Sequence, residues 1–334
     1  MKPSRAALEP YRAPLWLRGG HAQTIYPLLR KGWGRPPLKR ERWETPDGDF
    51  VDIDWVRAPS HEPRTVTPTP LVVLFHGLEG SSQSQYAVAL MRAVAARAWN
   101  GAVAHFRGCS GEPNRLPRAY HSGDTEEIDW VLKRFRALQP AGPLFVVGVS
   151  LGGNALLKWL GTQEATALEI VDAAAAVCAP VDLTAAGFAL GRGFNRIYTA
   201  HFLHTLKPKA IAKLQRFPGL YDRKLVLAAR SMREFDDAVT APLHGFRSFS
   251  DYWARASSRP WLAHIRVPTL LLNAQNDPFL PASALPQTHE VSRWITLEFP
   301  REGGHCGFIS GSFPGHTDWM PRRLFGFFES NLRA

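Results

Sequence analysis

Two hydrophobic periods alternate along this chain, and the switching between them lays out the fold. Several short runs are largely apolar: LVVLF at Leu71–Phe75, Ala102–Phe106, PLFVVGV ending at Val149, Val171–Ala179 interrupted by Asp172, and Thr269–Ala274; Ser292–Phe299 is a further strand-like run. Runs of this length and continuity read as strands buried on both faces. Between them lie segments whose apolar residues recur every three or four positions, which predicts helices. One spans Gln85–Ala98, one starts near Asp124 with Ile128, Val131, Leu132 and Phe135 on a single stripe, and one covers Asn154–Leu160. Nearer the start, Lys39–Thr45 and Phe50–Val56 flank the turn Pro46-Asp47-Gly48-Asp49 and predict a β-hairpin. Strands alternating with helices give an α/β fold, a mostly parallel central sheet with helices on both faces. The alternation stops between Asp182 and about Ser258, where the sequence is rich in Phe, Arg, Lys and helix formers. That segment, 182–258, is expected to be a helical cap inserted over one end of the sheet.

Length and charge refine this picture. The 334 residues suit a single α/β domain, 1–334, carrying an insertion, and a hydrophobic fraction of 45% supplies its core. Residues 1–38 form a basic extension expected to pack on the domain. The charge is concentrated towards this end: over residues 1–42 ten Lys or Arg stand against two Glu, giving +8 of the overall +11, with Trp16, Trp33 and Trp43 interleaved or adjacent. Such a stretch could contact an anionic membrane surface; a solvated face with packed tryptophans is the simpler reading. No nucleic-acid-binding motif accompanies the charge, so no nucleic-acid partner is expected. Cys109, Cys178 and Cys306 lack metal-ligand spacing and leave one thiol over in any disulfide scheme, which points to a reducing compartment. Charges and prolines interrupt the first apolar cluster, and no run approaches the ~20 apolar residues of a membrane span. A cytoplasmic protein without metal or organic cofactor is expected.

The chemistry enters at Gly148-Val149-Ser150-Leu151-Gly152. A G-x-S-x-G between a buried strand and a helix forms a sharp turn that lifts the serine hydroxyl above the sheet. Side chains two positions either side would collide with neighbouring backbone, which explains Gly148 and Gly152. Ser150 is the candidate nucleophile; its alternative is a helix-capping serine in an ordinary Gly-rich turn. A serine nucleophile of this kind needs an acid and a histidine later in the chain, each on a loop after a strand. Asp277 follows Thr269–Ala274, and His305 follows Ser292–Phe299 in a glycine-rich loop. The order Ser150, Asp277, His305 assigns His305 as base and Asp277 as the group that fixes its tautomer. Asp236, Asp237, Asp318, His264, His289 and His316 are rival partners, but none follows a strand so directly, and Asp318 lies beyond the histidine. The backbone N–H groups of Leu151 and of Leu78, in the loop HGLEGSS after Leu71–Phe75, are the expected oxyanion donors. His76 reads as a residue that shapes this loop, and Cys306 as a small packing residue. Phe188, Phe194, Tyr198, Phe202 and Phe246 either line an apolar slot under the cap or form the cap's own core, the latter for most of them.

The segments WLRGGHAQTIYP, DGDFVDIDW, LFHGLEGSSQSQY, HFRGCSGEPNRLPRAYHSGDTEEIDW, GVSLGGNALLKWL, MREFDDAVTAPLHGF, QNDPF and GGHCGFI cover nearly the whole chain. Together they make it resemble the YheT-like esterase family of the α/β-hydrolase superfamily, kin of eukaryotic membrane-attached lipases and phospholipases. The resemblance implies hydrolysis of a small-molecule carboxylic ester, a short-chain ester or an acylglycerol, through Ser150, Asp277 and His305. The eukaryotic relatives carry an N-terminal membrane anchor, which is not expected here. The triad alone does not choose between ester and amide, so an amidase or peptidase is the nearest alternative. A binding protein that holds an apolar ligand in the same pocket is the alternative from another class.

Overall fold

The computed structural model describes residues 10–30, 34–58 and 68–332. Lys2, Arg5, Lys31 and Trp33 of the basic N-terminal stretch lie outside these residues. The strands are β1 (Lys39–Glu44), β2 (Phe50–Val56), β3 (Leu71–Phe75), β4 (Asn100–Ala104), β5 (Leu144–Val149), β6 (Ala173–Val177), β7 (Thr269–Leu272) and β8 (Ile295–Glu298). They form one sheet in the order β1-β2-β4-β3-β5-β6-β7-β8. Strands β1 and β2 are the expected hairpin, and β2 pairs antiparallel with β4; every later pairing is parallel.

The helices are α1 (Gly20–Leu29), α2 (Gln85–Ala96), α3 (Thr125–Leu138), α4 (Leu151–Gln163), α5 (Leu183–Leu190), α6 (Arg196–Arg216), α7 (Arg223–Ala228), α8 (Met232–Phe235), α9 (Ala241–Leu243), α10 (Phe249–Ala256) and α11 (Trp319–Ser330). Alternate residues of β5 enter opposite cores. Leu144 and Val146 join the α3 and α4 side, while Phe145, Val147 and Val149 join the α2 and α11 side. Both faces of a parallel strand are therefore apolar, the reason these runs show no alternation. On α3 the Asp124 carboxylate caps the Glu127 N–H, and Ile128, Val131, Leu132 and Phe135 are all buried.

Trp43 belongs to this core. It is fully buried, its ring lies 4.7 Å from that of Phe135, and the Arg134 guanidinium sits over it. Trp16 packs edge-on against Tyr26 and Phe313. Both described tryptophans of the basic stretch are thus engaged in packing. No described helix is long and apolar enough to cross a membrane.

The helices α5–α10 lie between β6 and β7 and bury a small core of their own around Leu203, Val226, Phe235, Tyr252 and Trp253. Asn154 on α4 fastens this segment where it returns to the sheet. Its fully buried amide donates to the carbonyls of Ser122 and Ala256 at 2.8 Å each and accepts from the Ser258 N–H at 2.9 Å.

Candidate active site

Parallel register brings the strand ends into line. Phe75 pairs with Gly148, Val149 with Val177, and Val177 with Leu272. The loops leaving β3, β5, β7 and β8 therefore open on the same edge, which brings together Ser150 and His305, 155 positions apart. Ser150 sits at the β5–α4 turn with φ +53°, held by its own N–H to the Val177 carbonyl. A left-handed non-glycine residue costs of order 1–3 kcal/mol and is held by its surroundings. Those surroundings leave no room for side chains beside it. A Cβ on Gly148 would meet the Gly152 carbonyl oxygen at 2.5 Å, and one on Gly152 would meet the Phe75 and His76 oxygens at 2.5 Å.

Ser150, Asp277 and His305 form one hydrogen-bonded chain. His305 Nε2 lies 2.9 Å from Ser150 Oγ, and Nδ1 lies 2.9 and 3.1 Å from the two Asp277 oxygens. The Asp277 side chain is fully shielded from solvent, while His305 keeps 11% exposure towards a cavity. With an ionised Asp277 the Nδ1–H donates, which leaves Nε2 free to accept the serine proton. Burial works against an imidazolium here, but the Asp277 charge and the neighbouring Cys306 thiol outweigh it, so the His305 pKa is raised. The same carboxylate would stabilise the imidazolium that forms when the ring takes a proton from a serine.

The rivals are elsewhere. The carboxyl of Asp236 is held within the helical segment by Trp253 Nε1 and Thr240 Oγ1 at 2.8 and 2.7 Å. His264 approaches Glu164, and His316 approaches Asp318. Neither these residues nor Asp237 or His289 share a hydrogen bond with Ser150 or His305 among the described residues.

Leu78 and Leu151 both border the cavity beside Ser150. Among the described residues neither N–H meets a protein acceptor, so both are free for a ligand oxygen. Two tyrosines fix the loop that carries Leu78: the Gly77 N–H donates to Tyr86 Oη and the Glu79 N–H to Tyr120 Oη, each at 2.9 Å. His76 is fully buried. Its Nδ1 donates to the Gly77 carbonyl and its Nε2 accepts from the Phe106 N–H. Burial pushes its pKa down to about 3, so it stays neutral and spans two loops without reaching the cavity.

The cavity, about 550 Å³, runs from Ser150 and His305 beneath the helical segment, a size ordinary for small-molecule sites. Leu183, Leu190, Leu206, Met232, Phe235 and Val239 give it an apolar wall. Of the five aromatics singled out in the sequence, Phe202 lines it. Tyr198 and Phe246 pack within the protein, and Phe188 and Phe194 are 42% and 50% exposed, so these two serve neither as slot nor as core.

Motif reading misses several contributors. The Phe279 ring stacks on the His305 imidazole at 4.0 Å, and the Thr24 hydroxyl accepts from the His305 N–H at 2.8 Å. Nothing local in the sequence signals either contact. Cys178 and Cys306 lie beneath the imidazole, the Cys306 N–H donating to Cys178 Sγ at 3.2 Å. Their sulfurs and a His305 nitrogen fall within 4.8 Å of one another, but both ring nitrogens are already engaged, so the pair reads as packing.

A family model described as the alpha/beta hydrolase fold matches residues 70–312. YheT of Escherichia coli strain K12, an esterase by name, is 39% identical over 316 residues, 94% of this chain and 91% of its own. Human phospholipase ABHD3 is 29% identical over 328 residues, 96% of this chain and 79% of its own. Among solved structures, the Pyrococcus furiosus esterase Pf2001 superposes with a TM-score of 0.55 at 14% identity, covering 91% of this chain and 99% of that one, a likeness of fold. The match to the family model over residues 70–312 and the 39% identity to YheT over 94% of the chain place this protein in the α/β-hydrolase family, in its YheT-like branch.

Proposed function

We propose that this protein hydrolyses carboxylic esters through an acyl-enzyme formed on Ser150. The Ser150 hydroxyl attacks the ester carbonyl carbon while His305 Nε2 takes its proton. The carbonyl oxygen becomes an oxyanion facing the Leu78 and Leu151 N–H groups. When the tetrahedral intermediate collapses, the C–O bond to the alcohol breaks and the imidazolium returns the proton to the departing oxygen. Water then enters, His305 removes its proton, and a second tetrahedral intermediate releases the carboxylic acid and the serine. Asp277 holds the imidazole in the productive tautomer throughout. The observation that carries this reading is the unbroken chain from Asp277 through His305 to Ser150 at 2.9 Å per link, opening on an apolar cavity.

The helices α5–α10 act in this reading as a cap whose wall receives the acyl chain and limits water. The esterase and phospholipase names of the relatives favour an ester substrate, a short-chain ester or an acylglycerol. So do the cavity's carboxylates. Glu79 pairs with Lys209, Glu112 with Arg42, and Asp236 bonds to Trp253 and Thr240, which leaves none of the three to grip the free amino group of a peptide. The test is turnover of p-nitrophenyl esters of increasing acyl length by wild type and Ser150→Ala. Loss of roughly four orders of magnitude in the variant is expected, by analogy with triad knockouts; near-normal turnover would take Ser150 out of its role.

A further inference from the structure

The segment before residue 70 lies outside the match to the family model, yet it reaches the centre of the site. Helix α1 packs against the two loops that carry Asp277 and His305. The contact is close enough to dictate sequence on both sides. A Cβ on Gly20 would meet the Asn276 carbonyl oxygen at 1.9 Å, and one on Gly307 would meet the Gln23 carbonyl oxygen at 2.1 Å. Gln23 is fully buried. Its Oε1 accepts from the Ile309 N–H at 2.9 Å, and its Nε2 donates to the Leu17 carbonyl at 2.8 Å. Thr24 is the most telling member. Its hydroxyl donates to the Gly20 carbonyl at 2.7 Å, which turns an oxygen lone pair towards the backbone N–H of His305 at 2.8 Å. The Tyr198 hydroxyl, on α6, lies 3.0 Å from Nδ1 of His21, also on α1.

Such a contact has work to do because the histidine loop is not self-supporting. Gly303, Gly304, Cys306 and Phe308 all have positive φ, two of them without being glycine. A loop with that much left-handed backbone is held by what surrounds it. The imidazole itself is fixed by Asp277 on one nitrogen and Phe279 on one face. The backbone that delivers it is tied to the acid loop by the Gly304 N–H to Asn276 Oδ1, at 3.0 Å, and to α1 by Thr24.

We propose that α1 is a working part of the catalytic site and that Thr24 is a positioning residue for His305. This rests on the reading of His305 as the base for Ser150. Thr24→Val keeps the shape of the side chain but leaves the His305 N–H without its acceptor. The loop then relaxes, and the imidazole drifts from the 2.9 Å approach to Ser150 Oγ. Displacement of about 1 Å at a reacting group costs about 10²-fold.

Measured on the full chain with a p-nitrophenyl ester, Thr24→Val should lower kcat by about 10- to 100-fold with KM within about twofold, because the loss falls on the transition state. Thr24→Ser, which keeps the hydroxyl, should return kcat to within about threefold of wild type. Inactivation by a fluorophosphonate should slow in step with kcat, since it needs the same His305-activated serine. If Thr24→Val fails to fold by circular dichroism, Thr24→Ala reads the same split without a buried methyl against the N–H. A folded Thr24→Val or Thr24→Ala with wild-type kcat overturns the proposal, as does a Thr24→Ser as impaired as the valine. If instead Ser150→Ala retains turnover, the reading of the site fails, and that outcome is distinct because it does not involve Thr24.

Discussion

Replacing Asp277 by asparagine changes one atom, and the structure says which way the new amide must face. Asp277 Oδ1 accepts from the Phe279 N–H at 2.8 Å, whereas Oδ2 is the oxygen nearer His305 Nδ1, at 2.9 Å. In Asp277→Asn the carbonyl oxygen stays at the Oδ1 position, because the alternative would set two N–H groups against each other in a buried site. The NH₂ group then occupies the Oδ2 position and donates to Nδ1. A nitrogen that accepts cannot carry the proton, so the proton moves to Nε2, the nitrogen that must receive hydrogen from Ser150. Trapping the wrong tautomer in a serine triad costs about 10⁴ in kcat, which at 1.36 kcal/mol per decade is about 5.5 kcal/mol of transition-state stabilisation. The fold should survive, since the Phe279 bond is kept and the side chain is isosteric. The assay is kcat for a p-nitrophenyl ester, with circular dichroism and the thermal midpoint as controls. Activity within about tenfold of wild type would refute the reasoning and take Asp277 out of the tautomer-fixing role.

Three further outcomes follow from contacts around this centre. Asn154→Ala strands the Ser258 N–H and the Ser122 and Ala256 carbonyls in the interior; at about 1–3 kcal/mol for each buried unpaired group, a loss of roughly 3 kcal/mol and a Tm lower by about 6–12 °C are expected. A midpoint within about 2 °C of wild type would mean that water replaces the amide. Cys306 helps to raise the His305 pKa. Since His305 must be neutral to act as base, Cys306→Ala should lower that pKa and move the acid limb of the kcat/KM profile to lower pH; a limb that stays or moves upward contradicts this. Phe202→Trp should shorten the preferred acyl chain by filling the cavity beneath α5–α10, and an unchanged p-nitrophenyl ester chain-length profile would place the acyl group elsewhere.

The parallel strands β3 to β7 were readable because both their faces are buried, and the order Ser150, Asp277, His305 was readable because each residue follows a strand, the last of them the partly exposed edge strand β8. Boundaries moved where local chemistry overrides hydrophobicity. Helix α4 starts at Leu151 rather than Asn154, since Gly152 and Gly153 hide a first turn that packing imposes. Strand β4 begins at Asn100, outside its apolar run, because the Asn100 N–H bonds the Pro70 carbonyl and Gly101 fits beneath Met91 and Val94. Strand β8 is shorter than Ser292–Phe299 because the Ile295 N–H closes a turn onto Ser292. Helix α2 ends at Ala96, the chain turning through Ala98 at φ +53°. The contacts of Thr24 and Phe279 with His305 were illegible for a different reason. They join residues 281 and 26 positions apart through surfaces that only the assembled sheet brings together, and no local pattern encodes such a meeting.

The most direct test of the central claim is labelling by a fluorophosphonate probe, wild type beside Ser150→Ala, each first shown to be folded. An activated Ser150 predicts rapid stoichiometric labelling of the wild type that vanishes in the variant. A folded wild type that stays unlabelled, or a Ser150→Ala protein that labels as fast, would contradict it.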